Sequence, residues 1–97
     1  MMLKIPITAH PNQVFDVAIN NQYCTITLLQ RDNGLYFGLV SNGLPVCDNV
    51  LCLNKQPVIF TDYRGFIGSL TFYDNQGDTA PVWDGLGSRF ELIYEAR

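Results

Sequence analysis

Residues 22–43 read QYCTITLLQRDNGLYFGLVSNG, two alternating segments joined and followed by turn residues. Over Gln22–Arg31 the side chains alternate, with Cys24, Ile26 and Leu28 on one face and Tyr23, Thr25, Thr27 and Leu29 on the other. A period of two over ten residues specifies a strand, and the β-branched Ile and Thr suit a pleated surface. Neither face is strongly polar. Asp32-Asn33-Gly34 then predicts a hairpin with a three-residue loop, Gly34 taking the left-handed position. The chain returns over Leu35–Ser41, where Leu35, Phe37 and Leu39 alternate with Tyr36, Gly38 and Val40. Asn42-Gly43 is the clearest two-residue hairpin signal in the chain, because a primed turn needs positive φ at both central residues.

Outward from this hairpin pair, Leu44–Cys52 reads as the next strand. On the other side Asn20-Asn21 predicts a tight turn back to Val14–Ile19, whose Phe15, Val17 and Ile19 suit a core. Residues 13–52 are therefore expected as a four-stranded meander with three turns. Leu3–Thr8 is a further strand, and Pro6, which cannot donate to a ladder, assigns it to an edge. Ile67–Tyr73 and Arg89–Glu95 complete the set, with Gly65 and Gly68 allowing a bend or a close backbone approach. Asn54–Arg64 is open between strand and loop: Lys55-Gln56-Pro57 has turn character and Val58-Ile59-Phe60 that of a short buried run. Asp74–Ser88, with three Gly, one Pro and three Asp, marks a long surface loop. No amphipathic helix of three turns and no internal repeat is visible. The expected fold is all-β, one small domain over residues 1–97, an antiparallel β-barrel or sandwich with meander hairpins and about seven strands.

Ninety-seven residues support one core rather than two. Hydrophobic residues make up 47% of the chain and charged residues only 15%, which leaves few groups to oppose association. Part of the outer surface is thus read as destined for protein partners, and equally as the Thr-, Asn- and Gln-rich exterior of an ordinary β protein. Six basic against nine acidic residues, without a run of either sign, give no electrostatic footprint for nucleic acid. No apolar stretch is long enough to span a bilayer and no export leader is evident, so a soluble protein without membrane insertion is expected. Cys24, Cys47 and Cys52 lack CxxC spacing, and reduced thiols are the default.

Nucleophilic chemistry would have to pair Cys47 or Cys52 with His10, the one imidazole, and a lone His beside Pro11 is far more often a solvated turn residue. Asp74, Asp78 and Asp84 invite a calcium reading, yet the run after Asp74 lacks the bidentate Glu and ligand spacing of an EF-hand. No catalytic, metal-binding or cofactor-binding residue is assigned. The candidate interface residues are Trp83 and Tyr36. Trp83 follows Pro81 in the long loop, where an indole serves either as an interface anchor or as a lid over one end of the core. Aromatics on a small barrel would also suit an oligonucleotide- or ligand-binding module, which is the alternative function. That reading lacks the basic residues it needs.

The order of elements adds a resemblance. Ile5-Pro6-Ile7-Thr8, Pro11-Asn12-Gln13 with Phe15, Tyr23 in a strand, the Asn42-Gly43 hairpin, Leu51–Leu53, Gly65–Leu70, Asp74–Gly77 and the closing Asp84, Leu86, Gly87, Leu92 and Tyr94 resemble, in order and spacing, the small plug proteins of contractile phage tail baseplates. The resemblance covers nearly the whole chain. Departures fall at the Asp32-Asn33-Gly34 hairpin, where Leu35-Tyr36-Phe37 stands in place of a Trp often found nearby, and at Asn54–Thr61. Membership in this family implies a non-enzymatic structural protein, present in several copies at the tail hub. Its partners would be tail tube, central hub or spike and baseplate wedge, within the virion tail baseplate and, during assembly, the host cytoplasm.

Overall fold

The computed structural model describes residues 2–59 and 66–96. Among these residues eight strands follow one another: β1 (Met2–Ile5), β2 (Asn12–Ile19), β3 (Gln22–Arg31), β4 (Gly34–Ser41), β5 (Leu44–Leu51), β6 (Pro57–Ile59), β7 (Ser69–Asp74) and β8 (Phe90–Glu95). A short 3-10 turn, Trp83–Gly85, lies between the last two. Strands β2 to β5 form one antiparallel sheet in chain order, and the second has the order β1-β8-β7-β6.

The meander is as the alternation predicts, and its turns explain why. Asn20 and Asn21 take φ of 51° and 63°, and Asn42 and Gly43 take 51° and 81°. Positive φ at both central residues matches the right-handed twist of the flanking strands. The β3–β4 loop corrects the sequence reading. Arg31 pairs with Gly34, so the loop is the two residues Asp32 and Asn33 and Gly34 opens β4. Glycine is favoured there by its φ of 148°; a Cβ would lie 2.6 Å from Leu51 Cδ1, which the end of that exposed side chain could relieve by moving.

The eighth strand, beyond the seven read from sequence, is β6, which lies in the stretch left open. Phe60, Tyr63 and Gly65 fall outside the described residues. The two sheets form a sandwich and do not close into a barrel. Closure would require β1 to bond β2 and β5 to bond β6, but Pro6 and Pro11 bracket the first connection, and Pro45 and Pro57 remove donors from the second pair.

Inward residues of both sheets make one core. Ile19, Ile26, Leu28, Leu35 and Phe37 from the meander meet Leu70, Phe72, Leu92 and Tyr94, all nearly inaccessible to solvent. Each such side chain contributes about 1.5–3 kcal/mol of transfer free energy. Phe66 packs edge-on against Tyr94 with ring centroids 6.0 Å apart. Gly68, at φ 106°, passes directly under the Tyr94 ring, so any Cβ there collides with it. The Cα radius of gyration of 12.2 Å matches the roughly 12.5 Å expected of one domain this long.

Candidate interface surface

Polar side chains strap the second sheet's connections to the first. Gln22, buried in β3, accepts a hydrogen bond from the Ile67 N–H (2.8 Å) and donates to the Ile67 carbonyl (3.0 Å), standing in for a strand at that point. The Tyr94 hydroxyl donates to the same carbonyl and accepts from the Asn20 amide.

The long loop is fixed at its base by Asp74. Its carboxylate accepts both prongs of the Arg89 guanidinium, at 2.9 Å each, and the backbone N–H groups of Gln76 and Thr79. These donors hold the Asp74 carboxyl well below the usual carboxylate range, Arg89 having the largest effect, and the interaction raises Arg89 in turn. The calcium reading of Asp74 fails on this geometry, because the carboxylate is already occupied by a cation and two amides. Asp78, the second of that set, accepts from the Asn54 amide. No cluster of metal-ligating side chains occurs among the described residues.

From this base the loop carries Trp83 to the end of the sandwich where β3 turns into β4. The Trp83 backbone N–H donates to Gln30 Oε1 at 3.0 Å, and the half-buried indole packs against the core. Both uses considered for this residue, covering the end of the core and offering a surface, fit that placement. Tyr36 occupies the outer face at the same end. Its hydroxyl accepts from Asn33 (2.7 Å) and the Arg31 guanidinium lies 5.2 Å from its ring centre. Trp83 and Tyr36 thus share one end of the molecule, on different faces.

Tyr36 belongs to an apolar row that the sequence reading did not isolate. It pairs with Leu29 on one side and Leu51 on the other, and Val40, four residues along β4, pairs with Pro45. The available signal was that β3 lacks a polar face. Charge on this surface is sparse and partnered: Arg31 donates to Asn49, and Asp16 accepts from the Tyr23 hydroxyl (2.6 Å) and Thr25 (2.8 Å), which lower its pKa in that order.

The cysteine–histidine pairing is not realised. His10 lies in the β1–β2 connection, whereas Cys47 and Cys52 lie in and just after β5, at the opposite edge of the meander. Three inter-strand steps of about 4.8 Å separate those edges. Burial, with a smaller effect of Cys47, pushes the Cys52 thiol up to about 12, so it stays protonated at neutral pH. No helix among the described residues is long and apolar enough to cross a membrane.

The family model described as cyanophage baseplate Pam3 plug gp18 matches residues 2–97. The chain belongs to that family. It is therefore a phage baseplate plug protein by family, with a structural role in the virion tail baseplate among other baseplate proteins. No curated protein is similar enough to match it.

Proposed function

We propose that this protein acts as one unit over residues 1–97, without catalysis, and links tail tube, hub or spike and the surrounding baseplate wedge in several copies. The observation that carries this reading is the family match over residues 2–97. The surface is compatible with it: Trp83 and the Leu29–Tyr36–Leu51 row offer apolar area at the end and outer face of one rigid body. The mechanism is passive. Buried contacts hold a quaternary arrangement until tail contraction reorganises the assembly, and the chain itself contributes stiffness and shape.

The test is to purify intact particles and contracted tails on a density gradient and to quantify peptides of this chain by mass spectrometry. A fixed stoichiometry to tube and wedge proteins in the tail fraction is the expected result. Absence from particles would overturn the reading and bring the ligand-binding module forward.

A further inference from the structure

The four edge strands of the sandwich differ in how far they are closed to further pairing. Strand β5 carries Pro45, two register shifts opposite β4 and a left-handed Asn49. Strand β6 has three residues and starts with Pro57, and β1 has four and runs into Pro6. These are the usual guards of a sheet edge. Strand β2 has none of them: eight residues, regular register, no proline and no basic side chain.

Its backbone groups without a strand partner among the described residues follow from its register. The two-residue turn makes Ile19 and Gln22 a hydrogen-bonded pair, and the pattern alternates through Val17–Cys24, Phe15–Ile26 and Gln13–Leu28. The Gln30 N–H bonded to the Pro11 carbonyl at 2.7 Å continues the same row. The odd positions of β2 therefore face β3, and the N–H and C=O groups of Val14, Asp16 and Ala18 face outward, about 6.8 Å apart. A cleft of about 280 Å³ runs along this edge, between β2 residues 13–17 and Pro6, Ile7 and Thr8. The connection beyond it bonds to a β2 side chain rather than to the outward backbone of the edge: the Gln13 amide donates to the Thr8 (2.7 Å) and His10 (3.2 Å) carbonyls.

We propose that the free edge of β2 receives an extended segment of a different baseplate protein as a fifth strand of the meander sheet, with apolar side chains toward the cleft and a Lys or Arg beside Asp16. Repeating donors and acceptors specify a strand as the occupant. Half-buried Phe15 and Val17, with Ile7, line the apolar side, and Asp16 places a carboxylate on the outer face. A second copy fits poorly. In either two-fold register that uses Val14, Asp16 and Ala18, the two Asp16 carboxylates come opposite or diagonal to each other across the seam, and like charges there are unfavourable. Only the partner's identity as a baseplate protein rests on the function proposed above.

The test compares hydrogen exchange of peptides spanning β2 in the free chain and in assembled particles. In particles the Val14, Asp16 and Ala18 amides should exchange at least about tenfold more slowly, while the odd positions are already slow in the free chain. Val14→Pro removes an N–H that β3 does not use, so it should fold and yet enter particles about tenfold less well. Val14→Lys, at a side chain that is 66% exposed, guards the edge without touching the backbone and serves if the proline variant does not fold. Particles that contain the chain with β2 unprotected, or that incorporate a folded edge variant normally, overturn the proposal and leave the baseplate role intact. Protection of the free chain that rises with its own concentration overturns it in favour of self-pairing. Absence from particles overturns both.

Discussion

In the β2–β5 sheet every strand pairs with its neighbour in sequence across a two-residue turn, whereas in the β1-β8-β7-β6 sheet Met2 pairs with Glu95 and Leu70 with Tyr94. The first sheet closes short loops, each at small entropic cost, and its register is written in Asn20-Asn21 and Asn42-Gly43. The second brings chain ends together and has no comparable turn code. It relies on buried bulk and on side chains that replace strand contacts: Gln22 on Ile67, Tyr94 on the same carbonyl, and Asp74 on Arg89. Damage to the second sheet should therefore come from deleting core volume or straps, and damage to the first from its turns.

The sharpest break is Phe72→Ala, at a wholly buried ring in the middle of the second sheet. A loss of about 3–5 kcal/mol in urea unfolding is expected, a large share of the roughly 5–10 kcal/mol such a domain has. Gln22→Leu follows, because it leaves the Ile67 N–H and carbonyl without that partner, at about 1–3 kcal/mol. A cost near zero would mean that the strap is decoration. In the meander, Gly43→Val forces a β-branched residue into φ 81° where nothing else crowds it, so about 1–2 kcal/mol isolates the backbone term.

Acid should act on both sheets, with more of the affected carboxyls in the second. A carboxyl held below its ordinary value stabilises the fold above the unfolded pKa near 4 and loses that contribution as pH falls below it. Asp74 is such a group, joined by Glu91, lowered by Lys4 and Asn75, and by Asp16. Melting temperature should drop below about pH 4. Asp74→Asn should melt lower at pH 7 and show a shallower decline in acid, and an unchanged acid profile would remove the clamp from the account. Smallest for the fold are Tyr36→Ala and Trp83→Ala, at half-exposed rings: less than about 1.5 kcal/mol, against about a tenfold loss of incorporation into particles. Equal losses of stability and incorporation would argue against an interface at that end.

Legibility followed the same divide. All four meander strands between Val14 and Leu51, and the terminal strands β1 and β8, could be read from alternation and turn residues because these signals are local, although β1 ends at Ile5, short of the Thr8 expected, once Pro6 stops the ladder. Gly68 announced a close approach without naming Tyr94 as the ring above it. The strand β6 escaped because three residues are too few to display a period. Trp83 and Tyr36 stood out as aromatics, but not their common end of the molecule, and Leu29 and Leu51 passed as ordinary strand residues until register set them beside Tyr36.

Local pattern was enough to specify an all-β chain, its meander and two of its turns, because side-chain alternation and positive φ act within a few residues. Long-range packing settled the rest: the sheets stay an open sandwich, Gln22 and Asp74 become straps, and β2 keeps an unguarded edge beside a cleft. Those outcomes depend on which backbone donors and acceptors remain once distant strands have paired, and that balance is struck between residues far apart in the chain.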